Sequence, residues 1–218
     1  MKITIRNAKL SDIPFLVETI IEAEKSGTSI LSYTTIFGLE ENEAKKHIGL
    51  MLEEEIDGCE LSVSSFLVAD LENKSVGAVC AWVEGKDGVS SSTLKGNLLR
   101  FTLPQKCFRT ITELNNLIKE LHIDYVTDTI LIGLVYITKE ARGTGLVQRL
   151  LLEKIEQLKK ENSQIQEAYV QVFGNNLAAI KAYEKVGFSV IQSKTSNSTE
   201  ILNYLPSNNK ILMKSNLK

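Results

Sequence analysis

Apolar residues along the chain recur in two rhythms, every second residue and every third to fourth, and the switches between them mark the elements. Residues 2–8 alternate around Ile3 and Ile5, which predicts a half-buried strand. Ser11 or Asp12 then offers a helix cap, with Pro14 in the first turn, where a missing N–H costs little. Ile13, Leu16, Val17 and Ile20 follow at i, i+3, i+4 and i+7 and give that helix one apolar face. Residues 26–29, Ser-Gly-Thr-Ser, stop it. Residues 39–55 predict a second amphipathic helix, with Ala44, Ile48, Met51 and Leu52 inward and an acidic outer face. Residues 65–70 and 75–84 predict a hairpin. Residues 85–127 have the least regular pattern and read as an insertion holding one helix around Ile111 to Leu121.

The second half is more regular. Residues 129–137, TILIGLVYI, are nearly all apolar, as expected of a central strand buried on both faces. Gly133 interrupts this run, which signals a bulge or a close backbone approach. Arg142-Gly143-Thr144-Gly145 leads into a helix with Val147, Leu150, Leu151, Ile155 and Leu158 on one face. A strand at 168–172, a short helix at 176–185, and strands at 187–192 and 211–214 complete the chain. There is no internal repeat and no low-complexity segment. This order of elements predicts one mixed α/β sheet layered with helices in a single domain spanning 1–218, with the insertion at about 85–127.

Composition narrows the function classes. The chain has 218 residues, 43% hydrophobic and 24% charged, which is ordinary for a globular protein. The formal net charge is -2 and no basic stripe is present, so nucleic acid is not the expected partner. No apolar run approaches the length of a membrane span, and the first residues lack the apolar core of a secretory signal. Cys59, Cys80 and Cys107 are odd in number and widely spaced, which suggests neither a disulfide framework nor a zinc site. A reduced, cytoplasmic setting and no metal are expected.

The chemistry concentrates where the apolar strand turns through Arg142-Gly143-Thr144-Gly145 into a helix. The first N–H groups of a helix have no internal partner, and the helix dipole places partial positive charge there. Two glycines let the backbone approach an anion, so the turn suits a phosphate or pyrophosphate, with a plain strand-to-helix turn as the alternative. It lacks Gly-Lys-Ser/Thr and is no nucleoside-triphosphate loop; Gln148 at the third glycine position departs from a dinucleotide fingerprint. A nucleotide-binding switch is therefore not expected.

A second segment, Asn176 to Phe188, runs strand end, asparagine cap, short helix, tyrosine, glycine stop, strand. Together the two segments resemble the GNAT superfamily of acetyl-CoA-dependent N-acetyltransferases. The family's Arg/Gln-x-x-Gly-x-Gly/Ala loop is matched up to its last position by Arg142-Gly143-Thr144-Gly145-Leu146-Val147. The family's Asn-x-x-Ala-x-x-x-Tyr-Glu-Lys-x-Gly-Phe is matched throughout from Asn176 to Phe188. Detailed resemblance covers about 129–192. Val147 stands at a small-residue position and Lys139 where many members have proline.

The resemblance implies a mixed, mostly antiparallel central sheet with helices on both faces and an insertion before the central strand. It implies that the backbone of Val135, Tyr136 and Ile137 pairs with the pantetheine arm of acetyl-CoA. The amides of Arg142, Gly143, Thr144, Gly145, Leu146 and Val147 would hold its pyrophosphate. Asn176 would contact the arm, or serve only as a helix cap. Tyr183 would protonate the departing thiolate, or be only a buried aromatic; a phenol near pKa 10 keeps its proton at pH 7 and can donate it. Backbone N–H groups in the bulged strand would polarise the thioester carbonyl. The reaction implied is direct attack of a primary amine in a ternary complex, and no cysteine stands at a motif position. A fold of this kind that binds acyl-CoA without turnover is the alternative.

The general base is not marked by any motif. Asp128, Glu22 and Glu24 are candidates, and His47 and His122, the only histidines, lie outside recognisable motifs. Acceptor specificity is expected from residues 26–56 and the insertion. Glu40, Glu41, Glu43 and Glu53-Glu54-Glu55 would either favour a cationic amine or form a solvated helix face. Edge strands in such sheets often pair, which leaves a homodimer open.

Overall fold

In the second strand of the chain, Phe66 and Val68 project to one side, Leu67 and Ala69 to the other, and all four are buried. Helices must therefore cover both faces of the sheet that holds it. The computed structural model, which describes residues 3–217, shows how.

Strands β1 (Ile3–Asn7), β2 (Phe66–Leu71), β3 (Lys74–Val83), β4 (Ile130–Ile137), β5 (Glu167–Phe173), β6 (Ser189–Thr195) and β7 (Asn209–Asn216) form one seven-stranded sheet in the order β1-β2-β3-β4-β5-β7-β6. Only β4 and β5 run parallel; the other neighbours are antiparallel. Lys2, the first residue of the strand expected at 2–8, lies outside the described residues.

Helices α1 (Ile13–Lys25), α2 (Ser32–Thr35), α3 (Glu41–Glu53), α4 (Ser91–Thr102) and α5 (Phe108–Lys119) belong to the half of the chain before β4. Leu16, Ile20, Ile48, Met51 and Leu98 from this set pack with Phe66, Val68, Ala78, Trp82 and Leu131 in one core. Helices α6 (Leu146–Glu161) and α7 (Leu177–Glu184) cover the opposite face. There Leu150, Leu151, Ile155 and Tyr183 meet Leu67, Val79, Ile132 and Val170.

Three expectations need correction. The Asp12 side chain does not cap α1; it accepts hydrogen bonds from Arg6, at 2.6 and 2.9 Å, and from the Lys9 N–H at 2.9 Å. The guanidinium is a stronger attraction for a nearly buried carboxylate than a helix end. Residues 85–127 hold two helices rather than one, because Ser90 accepts the Thr93 N–H and starts α4. Finally, β4 is not buried on both faces throughout. Ile130–Ile132 are buried, but Gly133, Leu134, Val135 and Tyr136 are half-buried, for a reason that defines the site.

Candidate active site

Parallel pairing between β4 and β5 covers only Ile130↔Ala168, Leu131↔Tyr169 and Ile132↔Val170. Beyond Ile132 the two strands diverge, although β4 stays paired with β3 as far as Ile137 and β5 with β7 as far as Phe173. Across the gap, the edge of Gly133–Ile137 has no strand partner, and a cleft of about 780 Å³ opens there. It is lined by Val135, Tyr136, Ile137, Arg142, Val147, Asn176 and Tyr183, among others.

Gly133 sits at the head of this divergence. The β3–β4 register steps from Cys80↔Leu134 to Ala81↔Ile132, so Gly133 is the extra residue of a β-bulge. Both readings of this glycine from the sequence hold: a Cβ there would stand 2.5 Å from the Trp82 ring.

At the far end of β4, Lys139–Ala141 make one tight turn and the chain passes through Arg142–Gly145 into α6. Gly143 and Gly145 have φ of 77° and 78°, where a side chain would be strained. The backbone N–H groups from Gly143 to Gln148 donate to no acceptor among the described residues. Six amides are thus left for water or a ligand at the positive end of a 16-residue helix. The Arg142 side chain folds back, its Nε 3.3 Å from the Ile137 carbonyl oxygen, and Thr144 Oγ1 donates to the Ala141 carbonyl at 2.7 Å. Val147, the departure from a small residue, is half-buried against the α6 core and leaves the amides open.

Asn176 is the N-cap of α7. Its Oδ1 accepts the Ala179 N–H at 3.1 Å, and its Nδ2 donates to Ser26 Oγ, also at 3.1 Å. The cap reading is thus realised, and the same side chain ties the end of α1 to the β5–α7 turn across the cleft. Tyr183 lies about two helix turns further on, with 6% of its surface exposed. Its ring packs 6.0 Å from that of Phe188. Its hydroxyl has no hydrogen-bond partner among the described residues, and burial alone raises its pKa well above that of a free phenol.

On the opposite side of the sheet the insertion closes the cleft with Ile111, Ile118, Leu121, His122 and Tyr125. Here lie four charged residues that no motif marks. Lys95 of α4 contacts Glu60 at 2.5 Å and Glu24, at the end of α1, at 3.9 Å. Ser32 Oγ donates to the other Glu24 oxygen at 2.9 Å. Burial opposes the Lys95 charge, but Glu60, Tyr33 and Glu24 outweigh it and hold the ammonium well above its usual pKa. Lys210 of β7 also faces the cleft, 6.0 Å from the centre of the Phe173 ring.

Of the sequence candidates for a base, Glu24 and Glu22 line the cleft, and Glu22 is drawn off by Lys25 at 3.3 Å. Asp128 does not line it. That residue sits at φ 58° in the turn before β4, its N–H bonded to the Glu84 carbonyl. His122 lines the cleft and pairs with Asp124 at 3.0 Å, while His47 lies on α3 away from it. Glu41 is paired with Lys25 and Lys45, outside the cleft. Among the described residues no group of three or more His, Cys, Asp or Glu could hold a metal, and no helix is long and apolar enough to cross a membrane.

A strand pair that splays open, a bulge at its head, a loop of free amides at its end and a tyrosine beside it can be compared with known proteins. No curated protein matches the sequence. An N-acetyltransferase from Staphylococcus aureus Mu50 shares the fold with a TM-score of 0.66 at 18% identity, over 97% of this chain and 99% of its own. An acetyltransferase of the GNAT family from Streptococcus pneumoniae gives 0.55 at 18% identity, over 100% of both chains. A ribosomal-protein-alanine N-acetyltransferase from Brucella melitensis gives 0.55 at 17%, over 98% and 99%. The family model of the acetyltransferase (GNAT) family matches residues 39–188, well over half of the chain. The chain belongs to the GNAT family of acetyltransferases.

Proposed function

We propose that residues 1–218 form one acetyltransferase domain that moves an acetyl group from acetyl-CoA to a primary amine within a ternary complex. The observation that carries this reading is the continuity of three features in one cleft. The unpaired edge of Gly133–Ile137 and Tyr183, with its partnerless hydroxyl, line it, and the loop of six partnerless amides reaches it at Arg142 and Val147.

The fit to acetyl-CoA follows from these donors. Gly143 and Gly145 put no side chain between an anion and the amides, and each N–H to a charged oxygen contributes about 1.5–3 kcal/mol. The free amides of residues 143–147 suit the pyrophosphate, whereas the Arg142 N–H is already bonded to the Lys139 carbonyl. The open edge at Val135, Tyr136 and Ile137 suits the amide-bearing arm, taken up as an added strand. Asn176, already committed through Oδ1 and Nδ2, would meet that arm by its position beside the cleft. Acetyl-CoA supplies an acyl group activated as a thioester.

The protein's part is to position and to move protons. Amides at the Gly133 bulge would stabilise the oxygen that gains charge as the amine attacks. The new C–N bond forms as the C–S bond breaks; Tyr183 gives its proton to the leaving sulfur, and the Glu24–Glu60 pair takes the proton shed by the amine, directly or through water. An alkylamine near pKa 10.4 is only about one part in a thousand neutral at pH 7, so a carboxylate at the point of attack has a clear task.

The test is thiol release from acetyl-CoA in the presence of amines, followed with a thiol reagent. Amine-dependent release that falls in Tyr183→Phe supports the enzyme. Binding of acetyl-CoA with no release for any amine would point instead to an acyl-CoA-binding module on the same fold.

A further inference from the structure

The acceptor end of the cleft carries both signs of charge, and their arrangement is uneven. Lys95 is satisfied by Glu60 and Glu24. The Lys210 ammonium has no ion pair and no hydrogen bond to any described residue, only the Phe173 ring beneath it. Burial pulls its pKa down, with Lys95 adding to the effect against Glu24 and Glu60. An isolated cation in a part-buried cleft is costly unless an anion joins it.

That anion does not belong to the pyrophosphate loop. Lys210 pairs across the ladder with Phe173, two residues from the Leu212↔Gln171 pair, and Leu212 packs in the core of the α1 and α3 face. Residues i and i+2 of a strand share a face, so Lys210 projects to that side. Gln171 confirms the direction, since its Nε2 reaches the Ile123 carbonyl of the insertion at 2.8 Å. Tyr183 and α6 lie on the opposite face. Lys210 therefore shares its compartment with Glu24, Glu60 and Lys95.

We infer that the acceptor is a free α-amino acid with an apolar side chain, its carboxylate held by Lys210 and its amine by Glu24 and Glu60. This rests on the acetyltransferase reading above and names the acceptor of that same site. Two carboxylates and two ammonium groups leave the acceptor end neutral, which matches a zwitterion. A polyamine would press a second cation against Lys95 or Lys210. A protein N-terminus would bring no carboxylate next to its amine. Ile36, Phe37, Ile111, Ile118 and Leu121 supply the apolar wall.

The experiment compares L-leucine with L-leucinamide as acceptors, with acetyl-CoA binding measured alongside by calorimetry. The amide is the demanding control: without the neighbouring carboxylate its amine is less basic, hence more neutral at pH 7, and it would react better if only nucleophilicity counted. The wild type should favour leucine in kcat/KM by about tenfold or more, the scale of one charge-assisted contact. Lys210→Met should collapse that ratio by raising KM for leucine more than it lowers kcat, and Lys210→Arg should restore part of it. Unchanged acetyl-CoA binding in both variants shows that they fold. Leucinamide used as well as leucine would overturn the carboxylate site while leaving the acetyltransferase intact. So would a ratio indifferent to Lys210→Met. Acetyl-CoA binding with neither acceptor consumed would overturn the amino-acid acceptor and leave only the acetyl-CoA site standing. Failure of the wild type to bind acetyl-CoA would remove the underlying reading as well.

Discussion

Trp82 occupies the space that a side chain on Gly133 would need: a Cβ there would lie 2.5 Å from Trp82 Cζ3 and 2.8 Å from Cη2. The indole cannot retreat freely, because its Nε1 donates to Glu84 at 2.9 Å in a buried bond. The other Glu84 oxygen accepts the Ser91 N–H at 3.0 Å, at the start of α4. The bulge that opens the cleft and the insertion that closes it are thus held by one tryptophan and one carboxylate.

Gly133→Ala should therefore cost about 1–3 kcal/mol, the usual penalty for overpacking a filled site. Because the displaced ring borders the cleft, turnover should fall as well. Denaturant unfolding with parallel kinetics would show both losses; a variant as stable as the wild type would mean that Trp82 is free to move.

Tyr183→Phe removes a proton donor while keeping the ring against Phe188. Turnover should drop by about 10²–10⁴-fold, the range of general acid catalysis, and acetyl-CoA affinity should change little. Equal loss of affinity and turnover would make the hydroxyl a binding group instead.

Lys95→Met strands Glu60, whose side chain is 16% exposed, without its ammonium partner. The stability loss should lie between the ~1 kcal/mol of an exposed pair and the ~3–5 kcal/mol of a buried one. Glu60→Gln and Glu24→Gln should each lower kcat, and more at low pH, where less of the amine is neutral. A pH–rate profile identical to that of the wild type for both variants would remove the pair from proton transfer.

Asp12 offers a test of the fold alone. Burial raises its pKa, but Arg6 and the Lys9 N–H together overcome this and lower it below the ordinary 3.8. A depressed folded-state pKa gives stability that is present above the unfolded value and lost as pH falls through the folded one. Asp12→Asn should therefore be less stable than the wild type at pH 7, by about 1.5–3 kcal/mol for a charge-assisted bond, and the gap should shrink below about pH 4. A gap that stays constant down to pH 2 would contradict this account.

What the sequence revealed of the site was its local part. Gly143, Gly145, Asn176 and Tyr183 lie within two short segments: the anion-binding turn and the asparagine cap follow from residue type and spacing, while the proton-donor role of Tyr183 came only from the family resemblance. Glu60, Lys95 and Lys210 were not legible, because each belongs to a segment without a motif and they meet only after folding. Glu60 and Lys95 are 35 residues apart in a pair that no periodicity announces. The divergence of β4 from β5 is likewise a tertiary event: Gly133 announced a bulge or a close approach in 129–137, but not that pairing with β5 stops at Ile132. Helix α4 had a visible start in Ser90 and an apolar pair in Leu98 and Leu99, but too little periodicity between them to outweigh the surrounding Gly and Ser.

The most direct measurement is a calorimetric titration of the protein with acetyl-CoA, beside a Gly145→Glu variant checked for native circular dichroism. Gly145 is the N-cap of α6 at φ 78°, so the substitution strains that turn and brings a carboxylate to the free amides. One saturable site in the wild type, weakened at least about tenfold in the variant, is the predicted result. No binding by the wild type would contradict the account at its centre.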